Sequence, residues 1–261
     1  MGTTERTTEH AAPATGTPPR DGTGADTNRS IRRAGVVAGI ALLLMAPLAG
    51  YVNFAALEAL VVPGDPAGTA AGIAASEGLF RFGVFGLYVV IVLDVIVAAA
   101  LYRVFSPVSE RVSLLAAVLR IAFTAAFLVA ISELVSVPRL LDEQYLAILG
   151  ADQAHAQALL RIDAFGDAWD AALILCGLHL MVVGYLAYRS DFVSSGPVTR
   201  VLGVLLVVAG VGYVADSLAA VLSGGSAFEV TTVTFLGELL LAFWLVIRGP
   251  RLAVREHPRA R

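Results

Sequence analysis

Cysteine is nearly missing from this 261-residue chain: Cys176 stands alone, inside an apolar segment. A single thiol excludes a disulfide framework, a CxxC redox pair and a thiolate metal cluster, and leaves a small buried apolar side chain as its expected role. Lysine is absent; every basic residue is arginine, a usage that fits a coding bias toward Ala, Arg, Gly and Val and carries no function by itself. Histidine is scarce, with four in all, of which His10 and His257 lie in polar ends and His155 reads as a solvated surface residue. His179 is then the one histidine firmly within an apolar run, too little for a histidine-rich hydrolase, a di-iron oxidase or a bis-histidine haem. No GxSxG, P-loop or GxGxxG motif occurs in a setting that would make a nucleophile or a nucleotide site. The sequence therefore leans away from an enzyme, and no cofactor or metal is expected.

Charge is also scarce wherever hydrophobicity runs long. The chain is 57% hydrophobic with a mean hydropathy of +0.79, above the usual globular range. Six segments, about 34–57, 79–104, 112–135, 166–189, 199–222 and 230–248, are long enough to cross a hydrocarbon core of ~30 Å as helices. Residues 1–30 are polar, rich in Thr, Gly and Pro, and read as a disordered tail; they are too long and polar for the n-region of an ordinary signal peptide, so the first apolar run is expected to be retained. Arginine is concentrated on one side. With both termini inside, the cytoplasmic face holds Arg29, Arg32, Arg33, Arg103, Arg111, Arg189, Arg200, Arg248 and Arg251 among others, against Arg81, Arg139 and Arg161 outside. The positive-inside rule then places both termini in the cytoplasm. The outer connection 136–165 carries "PRLLDEQYLAIL" and "ADQAHAQALLRIDAF", which read either as short helices on the membrane surface or as an extension of the fourth span. "GVVAG", Gly35 to Gly39, is a GxxxG pattern, and Gly203, Gly210 and Gly212 roughen the fifth span; internal packing explains them at least as well as dimerisation.

Within the apolar segments a few ionisable residues demand explanation. Arg120 interrupts "LLAAVLRIAFTAAFLVAI", where a charge near the bilayer centre costs several kcal/mol unless it has a partner. Counted from the flanking arginines at ~1.5 Å per residue, Asp94, Arg120, His179 and Glu238 all lie ~13–15 Å deep, on four different spans. Arg120 is thus expected to pair with Asp94, Glu238 or both. Arg120 shares a helical stripe with Ser113 and Thr124, and Glu238 one with Thr231 and Thr234, as for faces turned to a bundle interior. Asp94 shares its stripe with Ile91, Ala98 and Leu101, so only the cost of burying it argues for an inward position. A zinc site of His179, Asp94 and Glu238 is conceivable, but Arg120 explains the two carboxylates better. A second set, Glu77, Arg81, Glu133, Asp163, Asp167, Asp170 and Asp216, suggests an acidic outer mouth with Arg81 as a counter-charge. Two carboxylates facing one arginine leave a negative charge over, to be met by a proton, a charged His179, or a cation or polar ligand.

The segments "LVVPGDPAGTAAGIAASEGLFRFG", "ALYRVFSPVSE", "LLAAVLR", "GLHLMVVGYLAYRS", "RVLGVLLVVAGVGYVADSL" and "GELLLAFWLVIRG" follow one another in an order that resembles a family of bacterial multi-pass membrane proteins, the domain of unknown function 4386 family. The resemblance covers about residues 31–250 and implies six helices but no activity. It singles out Asp65, Arg81, Asp94, Arg120, His179, Asp216 and Glu238. Members often carry Glu three residues after the third-span arginine, where this chain has Phe123, and "SDFVSSGPVTR" is longer than the usual turn.

The expectation is an all-α polytopic protein of the plasma membrane: a tail 1–30, a six-helix transmembrane domain 31–250 and a basic cytoplasmic tail 251–261. Asp94, Arg120, His179 and Glu238 form its buried layer; Arg81, Glu133, Asp167, Asp170 and Asp216 form its outer mouth. Its partners are the lipid bilayer and a small polar ligand, proton or cation, with a homo-oligomer left open; a net charge of −3 gives no sign of nucleic acid. A small transporter or membrane sensor is the leading reading, and a structural or interaction protein whose ion pairs only fix helix packing is the alternative.

Overall fold

Four of the six long helices start or end on charges that suit their dipoles. Glu77, Glu110 and Asp152 lie in first turns, and Arg103, Arg139, Arg189 and Arg248 in last turns. A computed structural model of the protein describes residues 22–190, 196–223 and 231–253. Residues 1–21 of the polar tail, 191–195 of the "SDFVSSGPVTR" loop, and 254–261 of the basic tail lie outside the described residues. So do the side chains of Thr231 and Thr234.

The described residues form α-helices α1 (Gly22–Tyr51), α2 (Pro66–Ala75), α3 (Glu77–Phe105), α4 (Glu110–Leu140), α5 (Glu143–Leu149), α6 (Ala151–Arg189), α7 (Gly196–Ser223) and α8 (Thr231–Arg248). Five of them, α1, α3, α4, α6 and α7, are long and apolar enough to cross a membrane. The sixth expected span corresponds to α8, whose 18 residues rise ~27 Å.

Several boundaries differ from the sequence expectation. Residues 22–30 are not tail but the opening turns of α1. That helix contains Pro47 and passes after Tyr51 into a π-helical stretch, Val52–Glu58. Of the two readings of 136–165, each applies to one part: Glu143–Leu149 is a separate short helix, and "ADQAHAQALLRIDAF" extends the fourth span into the 39-residue α6. At ~1.5 Å per residue α6 is ~58 Å long, so it must project beyond a ~30 Å core. The helix α2 lies outside the six expected spans, although its start is written in "GDPAG": Asp65 caps it by accepting a hydrogen bond from the Gly68 N–H at 2.8 Å, with Pro66 in the first turn. Thr69 clips α2 to the preceding loop, its hydroxyl accepting from Val62 N and donating to Val62 O.

The six long helices close a ring in which α1 packs on α3, α3 on α4, α4 on α6, α6 on α7, α7 on α8, and α8 back on α1. Phe105, Phe127, Leu134, Leu180, Leu206 and Leu245 are among the residues buried between them. The outer faces are apolar as well: Val92, Val129, Val208 and Ile247 are each about 60% exposed or more. Contiguous exposed apolar surface of this kind marks an interface with lipid or protein rather than water.

Glycines set the closest helix approaches. On α6 and α7, Gly177 faces Gly210 and Gly184 faces Gly203, so the two helices run antiparallel along a glycine seam. A Cβ on Gly184 would lie 2.6 Å from the Gly203 carbonyl oxygen, closer than real contacts allow. The "GVVAG" glycines serve the ring closure: Gly39 abuts Val246 and the Ala242 carbonyl of α8, and Gly35 abuts Gly249 and Leu252. The motif's small faces are therefore occupied within the chain. Gly184→Leu is expected to destabilise the detergent-solubilised protein by about 1–3 kcal/mol in thermal unfolding, through overpacking. Gly166→Ala, whose Cβ would meet nothing within 4 Å, should be neutral or stabilising by up to about 1 kcal/mol.

Candidate functional site

Ser113, Arg120 and Thr124 form one buried stripe on α4. The Ser113 hydroxyl donates to Tyr102 O of α3 at 3.0 Å, and the Thr124 hydroxyl back-bonds to Arg120 O at 2.7 Å. The apolar-looking stripe of α3 also turns inward: Ala98, Leu101 and Asp94 are at most 2% exposed. Burial, not a run of polar neighbours, fixes the side on which Asp94 lies.

Arg120 is 2% exposed and bonds to three other helices. Its Nε donates to Asp94 Oδ1 at 2.8 Å, and Nη2 approaches the same oxygen at 2.5 Å. Its Nη1 reaches Glu238 Oε1 at 3.4 Å and His179 Nε2 at 3.3 Å. Arg120 thus pairs with both carboxylates, tightly with Asp94 and loosely with Glu238. His179, 0% exposed, has Nδ1 2.8 Å from Ala116 O. A carbonyl can only accept and a guanidinium can only donate. Nδ1 therefore carries the proton and the Nε2 lone pair faces Arg120, so the contacts do not suit a charged imidazolium. A charged His179 is therefore the way of balancing the excess charge that this geometry disfavours. The Ala116 carbonyl, which orients the ring, bears no side-chain signal and escaped the sequence reading.

One carboxylate oxygen remains unspent. Both Arg120 contacts to Asp94 fall on Oδ1, and Oδ2 has no hydrogen-bond partner among the described residues. Asp94, Arg120 and Glu238 line a cavity of about 130 Å³ at the centre of the ring. The rest of its wall is apolar and aromatic, including Met45 and Ala49 of α1, Phe123 and Phe127 of α4, Trp169 of α6 and Tyr213 of α7. Phe127 meets Trp169 edge-on, with ring centroids 4.2 Å apart, and Phe123 lies 6.1 Å from the same indole. Cys176 is buried and also lines this wall.

The outer residues divide into three groups. Arg81 pairs with Glu77 one turn away on α3, both well exposed, so within the outer set its ion pair is with the acid of its own helix. Glu133 of α4 pairs with Arg161 of α6 at 2.6 Å, a cross-helix bridge made possible by the extension of α6 beyond the apolar segment. Asp170 lies within electrostatic reach of Asp167 on its own helix and of Asp216 on α7, while Asp163 is exposed. Among the described residues no three His, Cys, Asp or Glu side chains are grouped so as to hold a metal ion; Arg120 stands between the carboxylates and His179.

The family described as "Domain of unknown function (DUF4386)" matches residues 37–249, and the chain belongs to it. The chain is also similar to an "Uncharacterized protein" of Archaeoglobus fulgidus, 33% identical over 172 residues, which span 66% of this chain and 86% of the relative. No solved structure matches it.

The unequal distances predict unequal couplings. Arg120→Ala is expected to cost about 3–5 kcal/mol of stability, because Asp94 is left charged and buried. Glu238→Gln should cost about 1 kcal/mol, given its 3.4 Å contact and a side chain 19% exposed. Double-mutant cycles read by thermal unfolding in detergent should accordingly give a larger Arg120–Asp94 than Arg120–Glu238 coupling.

Proposed function

We propose that this is a plasma-membrane protein with six spans and both termini cytoplasmic, and that Asp94, Arg120, His179 and Glu238 form the proton- or cation-responsive centre of a small transporter or membrane sensor. The membrane domain would occupy 31–250, with the basic tail 251–261 on the cytoplasmic face. The observation that carries this reading is the charge balance of the buried layer. Two carboxylates share one guanidinium, His179 turns a lone pair to it, and Asp94 Oδ2 is left without a partner among the described residues beside a cavity. Two carboxylates facing one guanidinium leave one negative charge uncompensated, and intramembrane ionisable groups of this kind are typical of proton relays and ion pathways. Asp167, Asp170 and Asp216 would form an acidic outer mouth, with Arg81 and Glu133 on its rim.

A structural role is the second reading, favoured by one observation: Arg120 ties α4 to α3, α6 and α8 at once. Thermal stability of Arg120→Ala, Glu238→Ala and the double variant, together with ion response in proteoliposomes, separates the two. Under the transport or sensing reading, Glu238→Gln stays nearly as stable as the parent but loses the proton- or cation-dependent response by tenfold or more. If the response persists in a folded Glu238→Gln protein, or if no response exists while both single changes destabilise strongly, the layer is architectural. Topology has its own check in a Cys176→Ala background. An impermeant maleimide applied to intact cells should label Gly150→Cys and leave Ser109→Cys unlabelled until the membrane is opened.

A further inference from the structure

A proton needs neither a cavity nor an aromatic wall, yet the buried layer has both. The space beside Asp94 and Glu238, about 130 Å³, approaches the ~150 Å³ of an apolar protein cavity able to hold one benzene. Its charge and its lining restrict what could fill it. An anion would meet a net negative layer in which each guanidinium nitrogen already contacts Asp94, Glu238 or His179. A small inorganic cation such as Mg²⁺ or Ca²⁺ needs six or more oxygen ligands, whereas most of this wall is hydrocarbon and aromatic ring. A quaternary or tertiary ammonium needs little or no hydrogen bonding. Its diffuse charge is satisfied by the faces of aromatic rings and by a carboxylate at modest distance.

We infer that the cavity binds a small organic monocation of the substituted-ammonium class, its alkyl groups against Phe123, Phe127 and Trp169 and its charge opposite the unspent carboxylate of the Asp94–Glu238 pair. The inference rests on the proposed cation-responsive role of the layer and names the chemistry of its ligand. Asp94 supplies an independent pointer: it is 1% exposed, lines the cavity, and its Oδ2 has no partner among the described residues. Such an oxygen is costly to bury without compensation, and a cation beside it supplies that compensation. Arg120, held on Oδ1, keeps the carboxylate oriented with Oδ2 free.

The chain reports on this site by its own fluorescence, since it has two tryptophans and one of them, Trp169, forms the wall. The full-length Trp244→Phe protein in detergent would be titrated with tetramethylammonium chloride, with sodium chloride at equal ionic strength, with tert-butanol as a neutral solute of similar size, and with acid. The expected result is a saturable change in Trp169 emission with tetramethylammonium, absent with sodium and tert-butanol. Affinity should fall at least tenfold in Glu238→Gln and several-fold in Phe127→Leu, which keeps the wall apolar but removes a ring face. Equal responses to tetramethylammonium and tert-butanol would overturn the inference, since shape alone would then suffice. So would tetramethylammonium binding that both variants leave unchanged. If tetramethylammonium has no effect while acid or sodium shifts the emission in a Glu238-dependent way, the organic-cation inference fails and the ionisable-centre reading stands. If nothing shifts it, both fail.

Discussion

A guanidinium kept from water must place its donors on acceptors the protein itself supplies, and much of this architecture answers that requirement for Arg120. Asp94 comes from α3, His179 from α6 and Glu238 from α8, so a single side chain links four of the six helices in the ring. The arrangement is graded. The short contacts to Asp94 hold the guanidinium in place, and the long contact to Glu238 leaves that carboxylate partly free and partly exposed. His179 is oriented from behind by the Ala116 carbonyl. A rigid half and a loose half thus sit at one depth in the fold, a combination that lets a charge change at the loose end without releasing the fixed one.

The ring is built so that this layer lies at its centre. Small residues bring α6 against α7 and α1 against α8 at close range, while Phe123 and Phe127 of α4 pack on Trp169 of α6 at the cavity wall. Phe123 and Phe127 lie one turn and nearly two turns beyond Arg120 on α4 and close the wall above it.

What the sequence made legible was the part governed by cost. Depth counted from flanking arginines brought Asp94, Arg120, His179 and Glu238 to one level, and in the fold these four meet. It did so because a charge in a hydrocarbon environment is expensive enough to dictate its own location. Rotation was harder. Asp94 lies among Ile91, Ala98 and Leu101, and its inward position depends on what the neighbouring helices need. Features governed by weak local preference were missed or misjudged. The polar first turns of α1 read as tail, and the alanine-rich α2 as connection. Arg161 found its partner only because α6 runs on past the apolar segment. Gly177 and Gly184, spaced seven apart like Gly203 and Gly210, were a readable signal that the GxxxG pattern drew attention from.

The ring's closure also has a consequence for biosynthesis. Asp94 and Arg120 stand on consecutive helices joined by a short turn, so the ribosome delivers them as a hairpin and their charges can cancel at the moment of insertion. Glu238 arrives last, on the helix that must also dock against α1 through Gly39 and complete the circle. A chain halted before α8 would already hold a neutralised Asp94–Arg120 pair and no excess acid. The surplus negative charge of the buried layer comes into being only when the final helix seats.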